Sequence, residues 1–548
     1  MYSSAALSLL LASSASASTS LRGLVQSRRL SYEKIAGYQP ESQVTDHAAI
    51  DLDQAAIETL LADGTDQSFA DAQNVYLQGG NSKSFATITL STPLIGSVAK
   101  GAEVVGKDTT GAEVRGKMYD SYNAGSSTVN IQYQTSDIQD SYVGCQVGAL
   151  PASAQQTSGC FTAAANATLS INGADYSYGD YSVATGNKNG RNIAGFSTSA
   201  YEKMYEGCKG CPYSEYTKYY DYYGQYDYAH QWVTAAFDGT STMFNNGNAN
   251  FASYGFTGRT EAVKKGTAYM NVYMYVIREM EDAMDDCVSN CIDCNDDPVH
   301  AWDEAVAFYA GSLEGQSGAG DGKLLHALAD KRCQNYKTCG EEGDSLEGMS
   351  KVNYDIFRHF AVGLNDLLLG NCAALRPTID ETVALMAVPL IQGTLRYAYK
   401  VDKLQGSEKE KAEGAVFAAA ILPRLHKCSA SDASIVSANM GVGASSTSYS
   451  AVKKAFENQY ECMEITCADI GGLWNEATGD YYEGAGFCSD SSTDSSSDDN
   501  KLGIALGVTF GALALVAIGG VVYMARKEKQ GKPVFQPTSK EVDVVQMN

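Results

Sequence analysis

Asp297-Pro-Val-His-Ala-Trp-Asp-Glu-Ala-Val-Ala-Phe-Tyr-Ala-Gly-Ser-Leu-Glu-Gly315 is the stretch on which the fold turns. Asp297 followed by Pro298 is a helix start, an N-cap acceptor with proline at the first helical position. From there His300, Asp303, Glu304, Ala307 and Gly311 recur at helical spacing and share one face. A face with an imidazole and two carboxylates beside small residues either holds a cation in a bundle core or is an ordinary solvated face. After a glycine-rich turn, Lys323–Arg332 reads as the next helix.

The same pattern extends in both directions. Ala268–Cys287, Val352–Leu369, Thr378–Leu404, Lys409–Leu422 and Ser450–Ile465 read as amphipathic or buried helices with short connections, which is bundle architecture. Pro389 should kink the Thr378–Leu404 helix. Upstream the period changes to two. Residues 85–90, 103–106, 113–118, 128–135 and 168–171 read as strands, with a further strand over 142–147 and a hairpin turn at 107–112. Two helices, over 51–62 and 68–77, precede them. The fold class is α+β: an N-terminal mixed domain with antiparallel sheet (31–200), a helical-bundle domain (201–470) and one C-terminal transmembrane helix.

The ends set the compartment. An apolar run over 5–12 and Ala15-Ser16-Ala17 give a signal peptide at 1–17, although its first residues lack Lys or Arg. Leu502–Met524 is free of charge for 23 residues and is followed by Arg526, Lys527 and Lys529. That predicts a single type I span with a cytosolic tail at 525–548. The Ser/Asp-rich 489–500 reads as a stalk. All 14 cysteines precede the span, which in a secreted ectodomain implies disulfides. Cys333 with Cys339 and Cys462 with Cys467 are candidate local pairs; Cys208-x-x-Cys211 and Cys291-x-x-Cys294 have metal-knuckle spacing. Asn166 opens the Asn-Ala-Thr glycosylation sequon. The net charge of −24 argues against nucleic acid and anionic lipid and favours cations near the surface.

Tyrosine fills half of the sixteen positions from Tyr213 to Tyr228. Phenolate is a hard donor suited to ferric iron, but tyrosine also packs with its hydroxyl at a wet boundary. A faint internal echo relates Ala229-His-Gln-Trp232 to Val299-His-Ala-Trp302. In each copy an Arg (Arg259, Arg332), an Asn early in the next helix (Asn271, Asn353) and a closing Cys (Cys287, Cys372) follow. The first copy has Val233 and Thr234 where the second has Asp303 and Glu304, which points to the carboxylates more than to the histidine.

Asp297-Pro-Val-His-Ala-Trp-Asp-Glu-Ala-Val-Ala-Phe-Tyr309, Gly311-Ser-Leu-Glu-Gly315, Leu328-Ala-Asp-Lys-Arg-Cys333, Gly266-Thr-Ala-Tyr-Met-Asn271, Arg278-Glu-Met-Glu-Asp-Ala283 and Ile391-Gln-Gly-Thr-Leu-Arg-Tyr-Ala-Tyr-Lys400 together resemble the algal iron-assimilation family, and within it the phytotransferrins. The resemblance covers roughly residues 31–430. It implies cell-surface binding of Fe(III) with carbonate as synergistic anion, then internalisation and release in an acidified vesicle. Endocytic adaptors would act through the tail. It carries over no ligand set, so the site residues are read from chemistry.

Fe(III) prefers carboxylate and phenolate and tolerates imidazole, and a carbonate needs a cationic anchor. Three helix faces offer these: His300, Asp303 and Glu304; Tyr275, Glu279 and Asp282; and Gln392, Arg396 and Tyr399. Converging, they would supply Asp303, Glu304, His300, Tyr275 and Tyr399 to the metal and Arg396 to the anion. All of these donors bind iron less well when protonated, so binding should weaken below neutral pH. His47, His326, His359 and His426 show no paired metal spacing. No hydrolase or phosphate-loop motif is present and no copper, flavin or haem ligation is signalled, so the chain reads as a receptor and not an enzyme. The competing reading is a disulfide-rich adhesion or cell-wall glycoprotein.

Overall fold

The computed structural model describes residues 32–42, 44–82, 86–108, 110–133, 161–162, 167–182, 191–289 and 298–488. The signal peptide, the strand expected over 142–147, Asn166, Cys145, Cys160, Cys291, Cys294, the stalk, the 502–524 span and the tail lie outside them. Among the described residues no helix is long and apolar enough to cross a membrane.

Six strands close a barrel in the order β1-β4-β3-β2-β5-β6. They are β1 (Ala86–Leu90), β2 (Glu103–Lys107), β3 (Glu113–Met118), β4 (Thr128–Tyr133), β5 (Ala167–Ile171) and β6 (Ala174–Ser182). Every pairing is antiparallel, and β1 with β6 completes the ring. The period-two pattern is the cause. Val114, Gly116 and Met118 of β3 face inward between outward Glu113, Arg115 and Lys117. The 107–112 turn is held by Asp108, whose Oδ1 accepts from Thr110 N (2.8 Å) and Ala112 N (3.0 Å). Ile88, Val104, Val129, Ile131 and Leu169 form a core belonging to the barrel alone.

The cores divide the chain differently from the expected 31–200 and 201–470. The helices Ile50–Leu61 and Asp66–Gln78 lie N-terminal to the barrel, yet Ile50, Ile57, Leu61, Phe69 and Tyr76 pack into the core of the helical bundle. The barrel is therefore an insertion in the bundle, and its entry and exit are tied by Arg191 N donating to Ser82 O (2.9 Å). The bundle also runs past 470, through a small hairpin of Trp474–Asn475 with Asp480–Tyr481, to Cys488. Two expected helices differ in extent. Phe256–Gly266 continues through a π-helical turn, Thr267–Val272, into Tyr273–Val288, and Tyr449–Glu457 stops well short of Ile465. The helix Leu375–Lys403 runs through Pro389 without a break.

Five disulfides join described cysteines: Cys208–Cys211, Cys287–Cys372, Cys333–Cys339, Cys428–Cys462 and Cys467–Cys488. The Cys208-x-x-Cys211 knuckle is thus a bonded pair with no free thiolate for a metal. Cys462 and Cys467 are not partners of each other: they flank a turn at positive-φ Glu464, and Cys462 bonds Cys428 while Cys467 bonds Cys488.

The internal echo has a physical counterpart. Trp232 lies against Gly266 and Trp302 against Gly363, where an added Cβ would stand 3.2 Å and 2.0 Å from the indole carbons. Each tryptophan is buried and each glycine opens the groove that holds it. Removing the Trp302 side chain would leave a cavity costing roughly 3–5 kcal/mol. The two closing cysteines, Cys287 and Cys372, are bonded to one another.

Most of the tyrosine run packs into the bundle core. Tyr223 donates to Ala419 O (2.7 Å) and Tyr219 to Ala420 O (3.0 Å). Pro423 explains the first: it has no N–H to offer the carbonyl four residues back, so the phenol satisfies Ala419 instead.

Candidate metal centre

The Pro298–Ala310 helix is buried on all sides from Ala301 onward, so it has no solvated face. Adjacent residues on a helix project about 100° apart. Asp303 and Glu304 therefore enter different surroundings, and their roles separate.

Asp303 is fully enclosed by donors from the N-terminal segment. Oδ1 accepts from Tyr38 Oη (2.6 Å), and Oδ2 accepts from Glu41 N (2.9 Å), Ser42 N (2.8 Å) and Ser42 Oγ (2.8 Å). Burial pushes its carboxyl up to about 6 against these donors. This expected ligand is engaged in pinning residues 38–42 to the bundle.

Glu304 turns to two imidazoles. Its Oε1 lies 2.5 Å from His47 Nε2 and 3.0 Å from His300 Nε2. One donor atom from each of the three residues falls within 4.8 Å of the others. The two rings stand edge to face, 5.2 Å apart. Each presents Nε2 to the centre while Nδ1 is held from behind. Asp46 Oδ1 lies 3.0 Å from His47 Nδ1, at ion-pair distance without hydrogen-bond alignment, and Ser42 Oγ lies 3.1 Å from His300 Nδ1. Fixing the far ring nitrogen is how proteins orient ligating histidines.

Arg191, at the exit of the barrel insertion, closes the cluster. Nη1 bonds Asp46 Oδ2 (2.9 Å), and Nη2 approaches His47 Nε2 and lies 3.8 Å from Glu304 Oε1. Burial pushes the Glu304 carboxyl up, but His47 and His300 outweigh it and hold the group well below the usual carboxylate range. Burial likewise opposes the Arg191 charge, and Asp46, Glu304 and the barrel's Tyr119 more than restore it.

The preceding helix supplies a second layer. Tyr275 Oη accepts from Lys203 Nζ (2.6 Å), and its ring stacks on Phe196 at 4.0 Å. Burial raises its phenol, with Glu279 and Glu304 adding and Lys203 and Arg278 opposing. Glu279 is pushed up to about 7 by burial, against Arg278 and with Glu304 adding. Its Oε1 is buried with no hydrogen-bond partner among the described residues. An orphaned carboxylate oxygen beside a His–His–carboxylate set fits a cation that the set would hold. Asp282, the third residue of this face, pairs with Arg278 at 2.9 Å.

The third expected face is elsewhere. Arg396 has Arg332, Tyr397, Tyr336 and Glu413 around it, and Tyr399 packs against Tyr449 and Tyr482. Gln392 bonds Ile470 O (2.9 Å). The three faces thus form one centre from two helices and a separate cleft from the third. Sequence reasoning brought out His300, Glu304 and Tyr275 and missed His47, Asp46 and Arg191. The only local signal for these is the adjacent Asp46-His47 pair, ahead of a helix.

Two imidazoles and a carboxylate suit iron or zinc, and a neighbouring guanidinium suits an oxyanion on that metal. Comparison with curated proteins gave no match, nor did comparison with solved structures. The family model of low iron-inducible periplasmic proteins (Fea1) matches residues 198–486, more than half of the chain, including His300 and Glu304 but not His47 or Arg191; the chain belongs to this iron-starvation-induced family.

Proposed function

We propose that this protein binds ferric iron as cargo at His47, His300 and Glu304, and that it serves iron uptake at the cell surface in the manner of a phytotransferrin. The observation that carries the reading is the convergence of both Nε2 atoms on Glu304, with Asp46 at ion-pair distance behind His47 and Ser42 bonded behind His300. Membership of an iron-starvation-induced family supports the choice of metal. Glu279 and Tyr275, both within electrostatic reach of Glu304, are the further oxygen donors on the adjacent helix, and Arg191 takes the carbonate-anchoring role that the sequence reading assigned to Arg396. Internalisation of the loaded chain through its predicted span and tail completes the reading.

The test is a titration of the full chain with Fe(III) presented as a weak chelate, with and without bicarbonate, beside Zn(II). Stoichiometric ferric binding that strengthens with bicarbonate and is lost in Glu304→Gln is the expected result. Tighter zinc than iron, or a Glu304→Gln protein that binds iron as the parent does, overturns it. A phenolate-to-iron absorption band that disappears in Tyr275→Phe would place the phenol among the ligands.

A further inference from the structure

Arg332 is buried, 9% exposed, on the helix Leu325–Tyr336. Among the described residues its Nε and Nη1 have no hydrogen-bond partner and it is in no ion pair. Arg396, half-buried on the neighbouring helix, likewise has an unpartnered Nε. The two guanidiniums repel: burial first, and Arg332 second, push Arg396 below the usual arginine range. Lys400, one turn on, is lowered by burial and by Arg396 as well. A buried cation without a partner is destabilising, so two guanidiniums placed together with unpartnered N–H groups require an explanation.

The internal echo sharpens the contrast. Arg259, the counterpart of Arg332, is satisfied: its Nε donates to Ala236 O (2.9 Å) and its Nη2 to Phe237 O. Compensation near Arg396 is partial. The Tyr397 ring lies 5.9 Å from the Arg396 guanidinium and 5.4 Å from Lys400 Nζ. Glu410 stands 3.9 Å from Lys400, and Glu413 is engaged with Lys265 at 2.8 Å. A π face offsets charge but accepts none of the N–H bonds at their fork.

Arg396 and Lys400 open onto a cleft of about 550 Å³, which Tyr399, Asn335, Leu473 and Trp474 also line. Its exposed rim includes Glu476. That volume is in the range of small-molecule sites. Arg332 stands one helical turn before Asn335, outside the cleft lining but close enough for its charge to oppose that of Arg396.

We propose that this cleft is a binding site for a small multivalent oxyanion, a carboxylate or phosphate, gripped by Arg396 and Lys400 with Arg332 supplying charge from behind. It is distinct from the Arg191 position, because none of its cations touches the metal centre. Guanidinium forks match both anion classes, and the apolar wall of Leu473 and Trp474 favours an organic carboxylate.

The experiment is thermal unfolding of the metal-free full chain with tricarballylate, inorganic phosphate or sodium chloride at matched ionic strength. Tricarballylate or phosphate should give a saturable rise in Tm that chloride does not, and whichever acts at the lower concentration names the class. Arg396→Gln should abolish the rise, leave ferric affinity unchanged and leave the anion-free Tm equal or higher. Arg396→Lys keeps the charge without the fork and should bind the anion roughly tenfold more weakly. No rise beyond chloride, or a rise kept in full by Arg396→Gln, overturns the proposal. So does an Arg396→Gln chain that loses stability without anion, since the arginine would then be serving the fold.

Discussion

Around Glu304 carboxylates meet cations, with Glu279 as a like-charged neighbour, whereas around Arg396 cations face cations. In the first cluster Arg191 lies between Asp46 and Glu304, and two imidazoles complete the contact with the carboxylates. In the second, Arg332 and Arg396 sit together with unpartnered N–H groups beside an open cleft. Both are semi-buried arrays of charge in one bundle. The difference teaches what each awaits. The first is closed on itself and must exchange internal contacts for a metal. The second is incomplete, and only a ligand from outside supplies the missing acceptors.

Removing one arginine from each cluster tests this most strongly. Arg191→Gln strands Asp46 and Glu304 without their cation, and breaking a buried pair from one side costs about 3–5 kcal/mol. Arg396→Gln removes a repelling, unpartnered group and should be neutral or mildly stabilising. Urea unfolding of the two metal-free variants measures both. Equal losses would erase the distinction between the clusters.

The second test separates the adjacent carboxylates of one helix. Glu304→Gln removes a direct donor and should weaken ferric affinity by about 100-fold or more, above the range seen for residues that only orient ligands. Asp303 acts at one remove: it holds Ser42 Oγ at 2.8 Å, and Ser42 Oγ lies 3.1 Å from His300 Nδ1. Asp303→Asn should therefore weaken iron binding by about tenfold, at the lower end of that range, and also loosen the segment that Tyr38 and Ser42 anchor. Competition against a ferric chelator gives both affinities. Matching losses would return Asp303 to the ligand set.

What the sequence could show was local. Period-two alternation located five of the six barrel strands and missed β6, and helical periodicity located most of the long bundle helices, because burial of one face is written into neighbouring residues. Closure of the barrel rests on the β1–β6 pairing across about ninety residues, and no local pattern encodes a register. The insertion was hidden for a similar reason: Ile50, Ile57 and Leu61 mark a buried face without saying which core receives it. Helical spacing put Tyr275 with Glu279 and His300 with Glu304 correctly, since those relations are within one helix. It could not show that Arg396 looks toward Arg332, nor that a histidine more than 250 positions upstream, His47, meets Glu304. Asp303 misled because a carboxylate on a buried helix reads alike whether it awaits a cation or four N–H and O–H donors.

The smallest expected effect concerns the frame that carries the centre. Asp51 accepts from Ser312 Oγ (2.7 Å) and Leu313 N (2.6 Å), and Asp53 accepts from Asn81 N (2.9 Å) and Asn81 Nδ2 (2.7 Å). Burial pushes each carboxyl from its ordinary 3.8 up to about 6 despite these donors. Between those values the folded chain keeps protons that the unfolded chain has released. Folding then takes up protons, and these two groups add stability as pH falls from about 6 toward 4. The metal-free protein should accordingly melt about 1–3 °C higher at pH 5 than at pH 7, and Asp51→Asn/Asp53→Asn should flatten that rise. A Tm that falls steadily over this interval in the parent would mean that other carboxylates dominate. A Tm that holds or rises makes metal release in mild acid separable from unfolding: the frame around His47 and Glu304 persists under conditions that weaken a carboxylate–imidazole donor set, and the comparison with the arginine cleft can be made in the same acid buffer.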